Sequence, residues 1–504
     1  MSTLSSSLYL AEQVRELDRR TIAEEMNGDG FALMKRAGRS AYRALRRRWP
    51  QVRRVTIACG AGNNAGDGYV VAALAAADGL DVQLLALRDP ASLSGDAGRA
   101  VTMAGDAGVE ALAWQADTPL EGEVIVDALL GTGLDGAVRE PYVGAIRAIN
   151  ESRLPVLAVD IPSGLSADTG VVLGTAVRAT MTVTFIADKL GLHTGAGPAH
   201  VGEHRLDTLE VMAPSHADLI PVARLLSSTQ LAAWLPPRLA DGHKGDYGHV
   251  MVVGGAPGFG GAALLASRAA ARLGAGKVSL ATAPEHVTAS LVSCPEVMVH
   301  GVRSVSELTP LLHGADVIAV GPGLGTGAWG QGMLQGVLDA GRPLVVDADA
   351  INLLAATATV MNRDDWILTP HPGEAARLLG WQADDVQADR VVAVRRLQQA
   401  CGGVVVLKGS GTLVGDGRDI MVCPYGNPGM GSGGMGDVLT GMIAAMAAQG
   451  LSLERAACAG VIVHSLAADD AAHEGGQRGL LASDLASYAR LWINRQVHGP
   501  PGSA

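Results

Sequence analysis

A run of glycines leads into an aspartate at Gly431-Ser432-Gly433-Gly434-Met435-Gly436-Asp437, and a long apolar segment follows at once. Backbone N–H groups at a glycine-rich helix start make an anion hole, and the helix dipole adds to it. An aspartate just inside such a helix reaches a hydroxyl held beside a bound phosphate. That is the position of a general base in phosphoryl transfer. Lys408-Gly409-Ser410-Gly411-Thr412 follows the apolar run at 404–407 and offers a cation and hydroxyls to a nucleotide phosphate. In Thr369-Pro370-His371-Pro372-Gly373-Glu374 two prolines rigidify a loop and aim His371.

The first half of the chain carries a different set. Asn63-Asn64-Ala65-Gly66-Asp67-Gly68 lies between an apolar strand pattern and an alanine-rich helix pattern. Asp127 ends another apolar run and is followed by the glycine loop Gly131-Thr132-Gly133-Leu134. Asp160-Ile161-Pro162-Ser163-Gly164 ends a third. Parallel sheets bring the carboxyl ends of their strands to one crevice. Amide, hydroxyl and carboxylate oxygens gathered there suit a hard cation or a polar ligand.

The elements that position these groups alternate. Residues 8–48 have helical spacing. Strand patterns follow at 54–59, 81–87, 124–131, 154–164 and 181–187, with the first helix after the glycine motif expected from about Gly68. Residues 213–229 hold two prolines and no clear period, and the linker is expected there. A second alternation begins at 249–255. The expected organisation is α/β throughout, with one domain over 1–220 and another over 225–504.

Composition narrows the function classes. The chain has 504 residues, a formal charge of −11 and 66 glycines, about twice the usual glycine share. No G-X-Y period runs through it, so collagen is excluded. There is no basic stripe with interleaved aromatics, which disfavours nucleic acid. The five scattered cysteines form no C-x-x-C pair, and no stretch of 18 apolar residues occurs, so a reduced cytoplasmic protein without a membrane span is expected. G-x-x-x-x-G-K-[ST], H-E-x-x-H and G-x-S-x-G are absent. Abundant alanine suggests helices packed closely through small side chains. The short patterns at Gly258–Ala263 and Gly321–Gly325 are weak as dinucleotide fingerprints in so glycine-rich a chain.

In their order, NNAGDG, VDALLGTGL and VDIPSG resemble the NAD(P)H-hydrate epimerase domain, the YjeF N-terminal family, over roughly 8–215. The resemblance implies a Rossmann-like fold with a potassium ion held by Asn64, Asp127 and Ser163. It implies hydrate contacts from Asn63, Asn64, Ala65, Gly66 and Asp67, from Gly131, Thr132, Gly133, Leu134, Asp135, Gly136 and Ala137, and from Asp160. Ala65 stands where that family's motif has glycine. The order HKGDYGHVMVVGG, GPGLG, VVDADAINLL, TPHPGE, LKGSGT and GSGGMGDVLTG resembles the ribokinase-like NAD(P)H-hydrate dehydratase domain over about 225–495. Here the resemblance implies adenine-nucleotide contacts from Lys408, Gly409, Ser410, Gly411, Thr412 and Gly436, and hydrate contacts from Ala262, Gly323, His371 and Asp437. It further implies ADP as co-substrate with Mg2+, and a homo-oligomer. Asp437 and Asp160 are the expected acid–base residues, with Asp127 the rival to Asp160. The partners expected are the hydrates of NADH and NADPH (NADHX and NADPHX) and ADP. The alternative is a ribokinase-like kinase of a vitamin precursor fused to a non-catalytic, scaffold-type Rossmann-like domain.

Overall fold

The computed structural model describes residues 6–211, 218–357 and 361–498. The chain forms two compact units, Met1–Arg224 and Leu225–Ala504. Residues 213–217 of the expected linker lie outside the described residues. The rest of that stretch is not structureless, for a strand forms at Ala223–Leu225 and a helix begins at Thr229.

In the first unit seven strands form one sheet in the order Ala111–Ala113, Asp81–Ala86, Arg54–Cys59, Val124–Ala128, Val156–Val159, Met181–Phe185, Glu203–Asp207. All neighbours are parallel. The chain starts at Arg54–Cys59, builds outward to one side, then returns to Val124–Ala128 on the other. The switch point between those two strands is where open α/β sheets leave a crevice. The central strands are covered on both faces, so RVTIAC, VIVDA and VLAV read as nearly unbroken apolar runs.

Two local features depart from the sequence pattern. The helix after the first strand runs Asn63–Ala77, so the NNAGDG motif forms its opening turns instead of a loop before it. Ala65 and Gly66 are buried there, and that packing outweighs the poor helix propensity of asparagine and glycine. Residues 8–48 divide into helices Ala11–Glu25 and Gly30–Arg48, and Ser7–Tyr9 is a strand. It pairs in parallel with Asp188–Lys189 and antiparallel with Ala223–Leu225.

In the second unit the order is Met298–Gly301, Lys277–Thr282, His249–Val253, Val317–Val320, Leu344–Val346, Trp366–Leu368, Val404–Leu407, Leu413–Gly415, Ile420–Val422. The strands are parallel up to Val404–Leu407, and the last two form an antiparallel meander. Its switch point lies between His249–Val253 and Val317–Val320. All five cysteines are buried free thiols. Among the described residues no helix is long and apolar enough to cross a membrane.

The alanine-rich helices do pack closely. Helices Gly260–Arg272 and Met435–Ala448 meet at Gly441, where an added Cβ would sit 2.0 Å from the carbonyl oxygen of Ala266. The obstacle is backbone, so no rotamer change relieves it. Gly441→Ala should therefore destabilise the chain by about 1–3 kcal/mol, seen as a lower denaturant midpoint. Gly475→Ala, with nothing within 4 Å of the new methyl, should leave the midpoint within error or raise it slightly.

Candidate active sites

At the switch point of the first unit a cavity of about 510 Å³ opens. Asn63, Asn64 and Asp67 line it from the start of the helix, the segment Gly131–Asp135 from the loop after Val124–Ala128, and Asp160 from the end of the next strand. The parallel topology has thus gathered three separate motifs. Ala65 and Gly66 face away into the packing, and a Cβ on Gly66 would strike Met34 at 2.6 Å. Gly136 and Ala137 are exposed and do not line the cavity. Ala65 is helical and fully buried, with no left-handed backbone to penalise its methyl.

Beneath the lining lies a buried polar cluster. The Ser163 hydroxyl and backbone N–H donate to the Asp127 carboxylate at 2.6 and 2.8 Å, and Leu129 N–H donates at 3.2 Å. Burial still pushes the Asp127 carboxyl up to about 6, with the Ser163 hydrogen bonds pulling it down. Asn64 is 9% exposed, and neither atom of its buried amide has a hydrogen-bond partner. An orphaned buried amide costs about 1–3 kcal/mol. A hard cation would use the oxygen, and amide, hydroxyl and carboxylate oxygens are the donors such ions take. The residues present therefore fit a monovalent or divalent hard cation.

Asp160 sits at φ +65°, a region unusual for a residue with a Cβ. Its Oδ1 accepts from Lys189 Nζ at 2.6 Å, Phe185 N–H at 3.1 Å and the Thr184 hydroxyl at 3.2 Å. No described donor reaches Oδ2. Lys189 is 0% exposed, so its ammonium is a fully buried charge whose carboxylate partner is Asp160. Asp18 also lines the cavity, and burial lifts its carboxyl to about 6. Burial lifts Asp67 as well, and the nearby Asp160 and Asp18 charges add to that rise. Sequence reading missed Lys189 and Asp18. A lysine inside the apolar stretch after strand Met181–Phe185 was the available signal, whereas Asp18 looks like any solvated residue of an amphipathic helix.

In the second unit Lys408 is not a free phosphate-binding cation. It donates to Asp347 Oδ1 at 2.7 Å, and Glu374 lies 3.8 Å away. Asp347 is 1% exposed and also accepts from the Thr440 hydroxyl at 2.8 Å. Burial alone would raise the Asp347 carboxyl, but Lys408 holds it below the ordinary range. Gly436 stands directly over this pair, for a Cβ there would lie 3.2 Å from Lys408 Nζ and 3.6 Å from Asp347 Oδ2. Asp437 follows as the third residue of helix Met435–Ala448. Burial pushes its carboxyl up to about 7, and the Asp347 charge adds to the shift.

The remaining residues frame this centre. His371 caps helix Pro372–Leu379, its Nδ1 accepting from Gly373 and Glu374 N–H at 3.0 and 3.3 Å. That use of Nδ1 leaves the ring proton on Nε2. Burial and the Lys408 charge lower its pKa, favouring neutral imidazole. Gly409 packs on Arg390, whose guanidinium donates to the carbonyls of Leu407 and Lys408. The Thr412 hydroxyl donates to the Gly409 carbonyl at 2.9 Å, while Ser410 is exposed and Gly411 buried. Ala262 and Gly323 meet across the switch point, a Cβ on Gly323 lying 3.2 Å from that of Ala262. Asp347, Glu374 and Thr440 were absent from the sequence expectation. Asp347 carried the same signal as Asp127, an acid ending a buried strand.

Residues 30–191 match the family model described as YjeF-related protein N-terminus, and 250–490 match that of NAD(P)H-hydrate dehydratase. The bifunctional NAD(P)H-hydrate repair enzyme Nnr of Coxiella burnetii is 48% identical over 97% of this chain and 99% of its own. The chain belongs to the bifunctional NAD(P)H-hydrate repair enzymes. The Escherichia coli member is 42% identical over 98% of this chain and 95% of its own. An ADP/ATP-dependent NAD(P)H-hydrate dehydratase from Bacillus subtilis, co-crystallised with ATP/Mg2+, covers 56% of this chain and all of its own at 30% identity and a TM-score of 0.50. In this repair enzyme the first unit is the epimerase domain and the second the ribokinase-like dehydratase domain. The kinase-and-scaffold alternative is set aside, because full-length repair enzymes match both halves together.

The buried pair in the dehydratase domain gives a direct test. Lys408→Met leaves Asp347 charged and unpaired, which should cost about 3–5 kcal/mol in a denaturant titration. Adding Asp347→Asn removes the orphaned charge and should restore most of that loss, so the two changes should be strongly non-additive.

Proposed function

We propose that the first-unit cavity binds the hydrates of NADH and NADPH and interconverts their R and S epimers. Asn63, Asn64, Asp67, Gly131–Asp135 and Asp160 are the contacts in this reading, because they line the cavity. Asp160 takes the proton of the C6 hydroxyl through Oδ2 as the C6–N1 bond opens to an aldehyde, its electron pair going to the ring nitrogen, and returns the proton when the nitrogen recloses on either face of C6. Lys189 keeps its other oxygen occupied and fixes its direction, which makes Lys189 a positioning residue. Asp127 is the weaker candidate for acid–base work. It is 0% exposed, spends both oxygens on Ser163 and does not line the cavity. It belongs with Asn64 and Ser163 as a potassium ligand. The ion would supply fixed positive charge beneath the substrate, and the unpartnered Asn64 amide supports it.

In the second unit the S hydrate is dehydrated with ADP, giving NAD(P)H, AMP and phosphate. The observation that carries this reading is Asp437, a carboxyl lifted to about 7 at the start of a helix and beside the Lys408–Asp347 pair. A carboxylate with that pKa is poised to accept a proton near neutral pH. Asp437 takes the C6 hydroxyl proton, the alkoxide oxygen receives the β-phosphoryl group, and AMP departs. Phosphate then leaves C6, assisted by the ring nitrogen lone pair, and loss of a proton from C5 of the resulting iminium closes the C5=C6 double bond of NAD(P)H. Gly436 and the loop Lys408–Thr412 hold the nucleotide. Ala262, Gly323 and His371 hold the hydrate, with the neutral imidazole offering Nε2–H as a donor. Lys408 acts from within its ion pair, keeping Asp347 charged so that Asp437 stays the more basic carboxylate. Mg2+ would neutralise phosphate charge. The nearby Asp347, Glu374 and Asp349 already accept from protein donors, so the ion would be held chiefly through the nucleotide's oxygens.

Two measurements test these roles. Asp160→Asn should lower epimerisation by roughly 10²–10⁴-fold at every potassium concentration, while Asp127→Asn should mainly raise the potassium needed. An Asp160→Asn enzyme of ordinary activity would remove the assignment. For the dehydratase, the base works when deprotonated, so kcat/KM should rise with pH through about 7 and level off above it. Asp437→Asn should fold normally, lose turnover by orders of magnitude and abolish that rise, as followed by recovery of reduced-nicotinamide absorbance with ADP.

A further inference from the structure

Away from the cavity, the first unit holds a second cluster of ligating side chains. Asp188 Oδ2 lies 2.8 Å from His193 Nε2, and Oδ1 lies 3.1 Å from His204 Nε2. The two imidazole rings meet edge to face with centroids 4.7 Å apart. The ligand atoms of all three residues fall within 4.8 Å of one another. Asp188 and His193 are buried and His204 is partly exposed, at 3%, 9% and 24% of their side chains. They come from three elements, the strand Asp188–Lys189, the end of the turn Leu190–Leu192 and the strand Glu203–Asp207.

We propose that Asp188, His193 and His204 form a binding site for a divalent transition-metal ion of the zinc class. The metric fits. Zinc bonds of about 2.0–2.2 Å in a tetrahedron put neighbouring ligand atoms roughly 3.3–3.5 Å apart. The carboxylate-to-imidazole distances, 2.8 Å to Oδ2 and 3.1 Å to Oδ1, need to open by about 0.2–0.7 Å to reach that spacing. Three protein ligands leave a fourth position for water or another small donor, and the partly exposed His204 marks the side from which an ion enters. Two imidazole nitrogens and one carboxylate favour zinc-class ions over potassium or magnesium, which prefer oxygen. The ligand set is therefore chemically distinct from Asn64, Asp127 and Ser163. The five cysteines are all buried elsewhere and free, so they offer no competing accessible thiol site.

The site bears on the epimerase domain through one peptide bond. Asp188 and Lys189 are consecutive, and Lys189 Nζ is bonded to Asp160 while Asp188 faces the histidines. Asp188 Oδ1 also accepts the Lys189 backbone N–H at 2.9 Å. An ion on Asp188 Oδ2 leaves that bond in place and stiffens the strand that carries Lys189.

The test uses the full-length, tag-free protein, stripped with a chelator and titrated with Co2+ and then Zn2+. One equivalent of Co2+ should give the intense visible absorption of four-coordinate cobalt, and Zn2+ should bleach it. His193→Gln and His204→Gln should each weaken cobalt binding at least tenfold, whereas Asn64→Ala should leave it unchanged. Zn2+ should also raise the Tm of the parent protein and not that of His204→Gln. The more exposed His204 keeps the test decisive if the His193 variant does not fold. No stoichiometric binding, a weak six-coordinate spectrum, or equal affinity in the parent and His204→Gln would overturn the proposal. The cluster would then be a hydrogen-bonded brace in which Asp188 simply accepts from both rings.

Discussion

Each unit pairs a lysine with an aspartate at the carboxyl end of a parallel strand and buries one member of the pair, Lys189 held by Asp160 and Asp347 held by Lys408. A buried charge without a partner is untenable, and removing one member of such a pair is more damaging than never having had it. The pair therefore constrains everything around it. The strand ends must stay in register, the helix that follows must start at a fixed height, and a side chain where the helix crosses the pair would press on it. In the dehydratase domain that last position is Gly436. In the epimerase domain Asp160 accepts its lysine from a left-handed backbone conformation.

The sheets explain why the pairs lie where the ligands are expected. In both units the first strand of the sheet has neighbours built to either side, and the loops leaving the two central strands diverge. Backbone N–H groups and strand-end acids face the gap, while the apolar strands below keep water away. Low local polarity strengthens each electrostatic contact at the rim. It also raises the carboxyls that no described cation hydrogen-bonds, as at Asp18, Asp67 and Asp437.

Much of this was legible in the sequence. Acids ending apolar runs, and glycines ahead of helices, identify strand ends in any parallel sheet, so Asp127, Asp160 and Asp437 stood out. The partners did not. Lys189 and Asp347 matter because of which residue they face across the sheet, and facing is a property of register rather than of local pattern. Lys408 illustrates the same limit. Its motif marks a strand-end cation but says nothing about a carboxylate 61 residues upstream that takes up the charge. The helix start at Asn63 was also misplaced, because local propensity could not show that Ala65 and Gly66 pack inward. Ala262 and Gly323, by contrast, came from resemblance alone. Their meaning becomes physical only when the Ala262 methyl is seen to crowd the place a Cβ on Gly323 would take.

The dehydratase domain also shows how one environment gives two aspartates different tasks. Asp347 caps helix Ala348–Ala355 and is almost wholly buried, while Asp437 lies in the first turn of helix Met435–Ala448 and is partly exposed. Asp347 has Lys408 and Thr440 as donors, and its carboxyl falls below the ordinary range. Asp437 feels burial and the negative charge of its neighbour, with Lys408 only partly offsetting them, and rises to about 7. Environments that push two acids apart mark one as the fixed charge and the other as the proton carrier. The lysine is therefore doubly committed. It stabilises the buried acid that makes Asp437 basic, and by its own positive charge it stops that basicity from climbing out of the physiological range. A neutral residue at 408 would disturb both acids together, so the ion pair belongs to the catalytic design as much as to the fold.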